Sequence, residues 1–241
     1  MPVRLAEEWF AICGGCEVTI LDIGEPLLDL LQHVNIVHMP VLRDHKLFGQ
    51  TGERAEMEIP EAEVGIIAGG IRSEEHRKLA QEMRKKCKTL IALGSCACYG
   101  GVPALANLYA TEEILNKVYR ESVSTETDGL PSVDIPAMTD RVYAVSEVVK
   151  VDVSLPGCPT TPEMVAGALT ALLEGKPFPL PTKSVCDDCP LIREKKAVST
   201  LKRRLGPPEF TPGQPLNQMR CLMEQGFLCL GPATRPGCGG S

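Results

Sequence analysis

Residues 64–98 read VGIIAGGIRSEEHRKLAQEMRKKCKTLIALGSCAC. Val64–Ala68 is an unbroken apolar run closed by Gly69-Gly70, the pattern of a strand buried on both faces of a parallel sheet. Ser73 is a natural N-cap, with Glu74 and Glu75 in the first turn, where the helix dipole favours acids. The helix it opens extends to about Lys86. Thr89–Leu93 is a second apolar run, and it ends on Gly94-Ser95-Cys96. Strand, helix and strand therefore lead directly into a cysteine-bearing segment.

The same rhythm extends outward in both directions. Val3–Ile12 reads as a first strand ending at Cys13-Gly14-Gly15-Cys16. A helix is expected from about Glu17 to Gln32, because Ile20, Ile23, Leu27, Leu30 and Leu31 recur at helical spacing, although Gly24 and Pro26 weaken its middle. Asn35–Leu42 is a short apolar strand, and the polar stretch Arg43–Glu58 is a loop or irregular excursion. Downstream, Thr111 is expected to cap a helix to about Arg120, and residues 121–140 form a long loop. Val148–Leu155 is a last strand leading into Gly157-Cys158-Pro159, and Thr161-Pro162-Glu163 opens a helix through Leu173. Alternating strands and helices make an α/β fold, an open parallel sheet covered on both faces. Ligands of such sheets gather at the carboxyl ends of the strands. Cys13 and Cys16, Cys96, and Cys158 each follow directly on a predicted strand, so all four thiols are expected at one edge.

Composition narrows the function. The chain has 241 residues, 44% hydrophobic and 23% charged, which excludes a disordered or fibrous polymer and suits one large domain with an appendage. A net charge of −6 offers no general attraction to nucleic acid or anionic membranes. No apolar run approaches the ~20 residues that span a bilayer. Glu7 and Glu8 near the start argue against a secretion signal, so a cytoplasmic location is expected. With 4% aromatic residues and Trp9 the sole tryptophan, there is little material for stacking bases or sugars. Eleven cysteines in such a chain are metal ligands or redox groups rather than structural disulfides.

The composition shifts after Leu173. Lys176-Pro177-Phe178-Pro179-Leu180-Pro181 is a stiff connector, and Gly206–Pro215 is rich in Pro and Gly. The expected division is therefore 1–178 and 179–241. The second part holds Cys186-Asp187-Asp188-Cys189, Cys221, Cys229 and Cys238 but few large apolar residues, so it needs a metal site or a partner surface as a staple.

Four thiolates around an iron–sulfur cluster are the usual ligation. Cys13, Cys16, Cys96 and Cys158 form one candidate set; the neighbouring glycines let the backbone wrap closely and aim N–H groups at cluster sulfurs. A thioredoxin-like reading of the first pair leaves Cys96 and Cys158 at equivalent strand ends unexplained. Cys186, Cys189, Cys221 and Cys229 form a second set, which by spacing suits either a cluster or a tetrahedral zinc ion. Cys87 and Cys98 read as small buried side chains. His33, His38, His45 and His76 lack metal-site spacing, and Lys202-Arg203-Arg204 reads as a solvated face or docking patch. There is no P-loop, GxSxG elbow or dinucleotide fingerprint.

CGGCE (13–17), GSCACYGG (94–101) and PGCPTTPE (156–163) resemble the three segments that hold the proximal cluster in small subunits of nickel–iron hydrogenases. CDDCP (186–190) and CLMEQGFLCLGPATRPGC (221–238) resemble that family's C-terminal cluster-binding part, and the similarity is strongest to the cytoplasmic F420-non-reducing (methyl-viologen-reducing) type. The resemblance implies a flavodoxin-like domain, 1–178, holding a proximal [4Fe–4S] cluster on Cys13, Cys16, Cys96 and Cys158. It implies a loop-rich iron–sulfur segment, 179–241, with a distal cluster on Cys186, Cys189, Cys221 and Cys229. Cys238 would be the first ligand of a middle cluster whose other ligands lie beyond Ser241 in the family pattern, so the segment reads as shortened. The usual GCPP appears here as Gly157-Cys158-Pro159-Thr160.

The implied partners are a large subunit carrying the nickel–iron centre that splits H2, and downstream electron-transfer or flavoprotein subunits. The implied acceptors are a flavin-based bifurcating partner, NAD, ferredoxin or heterodisulfide reductase. Two other readings stand beside this one. The cluster-bearing subunit of an NADH or quinone oxidoreductase shares the fold, but its motif typically begins with adjacent cysteines. A zinc-stapled, non-redox interaction module would contain no iron or sulfide.

Overall fold

The computed structural model describes residues 2–42, 58–124, 126, 129–178, 180–194, 200–202 and 211–236. Its backbone separates into two units, Met1–Phe178 and Pro179–Ser241.

In the first unit five parallel strands form one sheet: β1 (Val3–Trp9), β2 (Val34–His38), β3 (Ala62–Ala68), β5 (Cys87–Leu93) and β7 (Val153–Leu155). Their order is β2-β1-β3-β5-β7. A two-stranded antiparallel ribbon, β4 (Ile71–Ser73) with β6 (Met138–Tyr143), is inserted in the chain. Without it the order becomes 2-1-3-4-5, the flavodoxin-like winding, whose switch point lies between β1 and β3. The register pairs Leu5 with Val64, Ala62 with Cys87 and Ile91 with Val153.

One face of the sheet packs Ala6, Phe10 and Ile67 against Leu79, Ala80 and Met83 of helix α3 (Glu74–Lys86). That helix begins as its sequence dictates: the Ser73 hydroxyl accepts from the His76 N–H at 3.1 Å. The other face, with Leu5 and Ile66, borders α1 (Gly15–Leu21), α2 (Pro26–His33) and α6 (Pro162–Leu173) around an apolar cavity of about 180 Å3. At α6, Thr161 caps Met164 N–H and Pro162 occupies the first turn.

Several expectations are corrected. The single helix over 17–32 is two, because Gly24 takes a left-handed φ of 72° and Pro26 restarts the chain as a first-turn residue. The last strand covers only Val153–Leu155; Val145–Glu147 is a 3-10 turn closed by Glu147, whose carboxylate accepts from Ala144 N–H at 2.8 Å. Thr111 is the first residue of α5 (Thr111–Tyr119) rather than its cap, and its hydroxyl accepts from Arg72 at 3.0 Å. Residues 94–99, which the sequence leaves without an assigned element, form the short helix α4 (Gly94–Tyr99). The expected loop at 43–57 lies outside the described residues.

Among the described residues of the second unit, regular structure is limited to α7 (Val185–Asp188) and three 3-10 turns. Backbone bonds tie its ends together, with Val185 N–H donating to Thr234 at 2.8 Å and Cys221 N–H to Ile192 at 2.8 Å.

Candidate functional site

Three junctions at the carboxyl edge of the sheet carry four cysteines. Between β1 and α1 the chain turns at Gly14, whose φ of 89° is left-handed. Cys13 precedes the turn and Cys16 sits in the first turn of α1. β5 passes into α4 through Gly94, φ 81°, placing Cys96 in that helix; β7 runs out into Gly157 and Cys158. Cys16 and Cys96 are buried, while Cys13 and Cys158 are exposed.

Backbone crowds the sulfurs, as close wrapping requires. A Cβ on Gly94 would collide with Cys16 Sγ, and one on Gly101 would lie 2.8 Å from Cys96 Sγ. The β5 and β7 junctions are also bonded to each other. Ser95 N–H donates to the Gly157 carbonyl at 2.7 Å, and Gly157 N–H donates back to Ser95 Oγ at 3.3 Å. Thr160 Oγ1 donates to the Leu155 carbonyl at 3.0 Å.

Burial pushes the Cys16 thiol up to about 12; the Thr160 backbone N–H opposes this, while Glu17, Cys96 and Cys13 add to it. The Cys96 thiol is also raised, first by burial, then by Cys158, Cys13 and Glu17, against the Val102 backbone N–H. Cys16 thus feels Cys96 and Cys13, and Cys96 feels Cys158 and Cys13. The four thiols form one electrostatically connected group, fed from three separate stretches of chain.

Four thiolates brought close together, two of them buried, repel one another unless cations lie between them. All-thiolate donors, glycine-lined backbone and N–H groups directed at sulfur fit an iron–sulfur cluster, in which each thiolate binds a different iron. Among the described residues, no three His, Cys, Asp or Glu side chains converge tightly enough to hold a single metal ion.

In the second unit Cys186, Cys189, Cys221 and Cys229 line one cavity of about 50 Å3, together with Leu191, Leu222 and Arg193. Gly231 N–H donates to Cys229 Sγ at 3.4 Å, and a Cβ on Gly231 would lie 3.2 Å from Cys186 Sγ. Ser184 N–H and hydroxyl both reach the Asp187 carboxylate, at 2.8 and 3.1 Å, closing the turn that presents the CxxC pair. Here too the donor set suits a cluster. Cys238 lies outside the described residues, as do His45, Arg203 and Arg204; Lys202 rests over the Phe227 ring at 4.5 Å.

Cys87 and Cys98 are buried and belong to neither set. Cys87 packs against Gly65, where a Cβ would lie 2.6 Å from its sulfur, and burial raises its thiol to about 11. Cys98 donates to the Ala92 carbonyl at 3.4 Å.

A group of acids beside the first set has no counterpart among the expectations from sequence. Glu7 in β1 and Glu17 in α1 are 0% and 2% exposed. Their carboxyls face one another, and the Glu17 carboxyl also feels its own backbone N–H. Burial, then the charges of Glu17 and Glu8, hold Glu7 well above the usual carboxylate range. Glu8, on the opposite face of β1, is paired at 2.6 Å with the buried His38. A signal exists in the sequence: two acids in the middle of an apolar strand are not solvent-facing.

This fold and these motifs define a class. A family model described as the NADH ubiquinone oxidoreductase 20 kDa subunit matches residues 13–172, and the chain belongs to that family, in its hydrogenase small-subunit branch. One subunit of the F420-non-reducing hydrogenase (vhu) of Methanocaldococcus jannaschii is 44% identical over 94% of this chain and 73% of its own length. The corresponding subunit of Methanococcus voltae is 42% identical over 98% of this chain and 77% of its own. The delta subunit of the NAD-reducing hydrogenase HoxS of Cupriavidus necator is 36% identical over 75% of this chain and 83% of its own. Among solved structures, a chain of an NAD+-reducing [NiFe]-hydrogenase superposes with a TM-score of 0.67 at 28% identity, covering 76% of this chain and 97% of that one. The chain is accordingly an oxidoreductase subunit of hydrogenase type, acting as part of a multi-subunit complex. No helix among the described residues is long and apolar enough to cross a membrane.

Proposed function

We propose that this chain is the electron-relay subunit of a cytoplasmic nickel–iron hydrogenase. Cys13, Cys16, Cys96 and Cys158 would hold a proximal [4Fe–4S] cluster, and Cys186, Cys189, Cys221 and Cys229 a distal one. Cys238 is a candidate ligand of a third. The partner large subunit would carry the nickel–iron centre. Downstream lies a redox subunit that delivers electrons to a flavoprotein, NAD, ferredoxin or a heterodisulfide reductase.

The observation that supports this reading is the meeting of three strand ends at the carboxyl edge of the sheet, whose junctions carry two buried and two exposed thiols. Iron–sulfur clusters supply one-electron transfer without bond making, and the protein supplies position and electrostatics. The Thr160, Val102 and Gly231 amides lie against Cys16, Cys96 and Cys229, where N–H donors favour the more negative, reduced state and raise the potential. Cys13 and Cys158 mark the open side of the pocket, from which a partner's redox centre can approach. The separation of Cys13 from Cys16 by two glycines favours a hydrogenase over the respiratory members of the family.

The test is purification of the complex under anaerobic conditions, with assay of iron, acid-labile sulfide and zinc. Iron and sulfide are expected; zinc alone rules out both redox readings. Cys158→Ser is expected to lose the iron of one of this chain's two four-thiolate sites, about four iron atoms per complex, and to abolish H2-dependent dye reduction. Parental iron and activity in that variant would refute the ligand assignment.

A further inference from the structure

The two deeply placed junctions of the first pocket are not independent. Helix α4, which presents Cys96, has no side-chain cap of its own; the residue before it is Leu93. Its opening amides need acceptors from elsewhere. The Ser95 N–H finds one in the carbonyl of Gly157, 62 residues on and immediately before Cys158. The Ser95 hydroxyl then accepts from Gly157 N–H. Both polar groups of the Gly157 backbone are thereby committed to one residue of the other junction. Gly157 has no freedom to adapt through a side chain, since a Cβ there would collide with Thr160.

We infer that Ser95 is a positioning residue: its N–H and hydroxyl clamp Gly157, capping the Cys96 helix with the Cys158 loop and fixing the spacing of those two thiols. The inference rests on the proposed proximal cluster. The clamp matters most at Cys158 because that thiol is exposed, whereas Cys96 is buried. Removing the hydroxyl leaves Gly157 N–H without its acceptor and lets the Cys158 loop move against α4. The backbone half of the clamp survives any substitution, so the effect is graded rather than total.

The experiment compares the anaerobically purified complex carrying Ser95→Ala or Ser95→Thr with the parent. The readouts are iron and sulfide content, the rate of iron release to a chelator, and the electron paramagnetic resonance spectrum during redox titration. Ser95→Ala is expected to retain its fold and cluster. It should release proximal iron about threefold to tenfold faster, the scale set by one lost neutral hydrogen bond. Its proximal signal should titrate at a shifted potential. Ser95→Thr, which keeps the hydroxyl, should restore both parental values. Parental release and titration in Ser95→Ala overturn the inference, as does equal damage in both variants or a Ser95→Ala chain that does not fold. A parent complex without iron and sulfide overturns the proposed function instead, so the two failures are distinguishable.

Discussion

At the scale of single residues, Glu7 is the least expected feature of the molecule. A buried carboxyl facing a second carboxyl is held as the neutral acid, because burial and the neighbouring Glu17 and Glu8 all disfavour its charge. Glu17 is raised as well, chiefly by burial. The consequence for stability has a definite sign. Below the ordinary value of 4.5 the acid is protonated in folded and unfolded chains alike, and it costs nothing. As pH rises above that value the unfolded chain ionises while the folded one resists, so the contribution is lost toward neutral and alkaline pH. Glu7→Gln removes this dependence. Its unfolding midpoint relative to the parent should move progressively in the variant's favour as pH rises above 4.5. A difference independent of pH would show that Glu7 is ionised in the fold. From sequence, the place of Glu7 and Glu8 inside an apolar strand signals burial, but nothing in residue type shows that Glu7 faces a second acid and Glu8 a histidine.

At the scale of elements, the strand-to-helix junctions carry the chemistry. Gly94 closes β5 and opens α4 with a left-handed backbone, and the space a side chain would fill holds the Cys16 sulfur. Gly94→Ala therefore combines two penalties: about 1–2 kcal/mol for the left-handed residue and about 1–3 kcal/mol for overpacking. It should displace Cys16, lowering the iron bound at the first four-thiolate site while sparing the second. Full iron content in Gly94→Ala would mean the junction tolerates a side chain that the geometry excludes. These junctions are legible because apolar runs, glycines and cysteines are local signals. The helix at α3 is legible for the same reason, with Ser73, Glu74 and Glu75 announcing its start. What escapes a sequence is set by distant partners. The ribbon of β4 and β6 joins three residues after Gly70 to a strand some way downstream, and the Thr111 hydroxyl serves Arg72 instead of its own helix. The break between α1 and α2 is half visible: Gly24 and Pro26 interrupt the pattern, but periodicity alone does not show that the leucines continue on a new axis.

At the scale of the whole molecule, the two units hold themselves together by different means. Parallel winding brings the ends of β1, β5 and β7 to one edge of the sheet, so residues 13, 96 and 158 meet without any local signal linking them. That convergence can be read from the sequence because topology follows from strand–helix alternation. The first unit has a closed apolar core, from Ala6 and Phe10 through Ile67 to Leu90 and Ala92, that owes nothing to a metal. In the second unit Phe227 and Pro236 are the only large apolar side chains buried among the described residues, and four cysteines surround a small cavity. Where so little surface is withdrawn from water, metal binding contributes folding free energy directly. Stripping the iron with oxidant and chelator should therefore act unevenly. Cleavage by trypsin within residues 179–241 should accelerate about tenfold or more, the response to losing a modest part of a unit's stability, while residues 1–178 persist as a resistant fragment. The cleavage sites, read by mass spectrometry, decide the matter. If residues 179–241 are cut no faster after the iron is removed, the cysteine cavity is not what holds that unit folded, and its core must be sought against another surface.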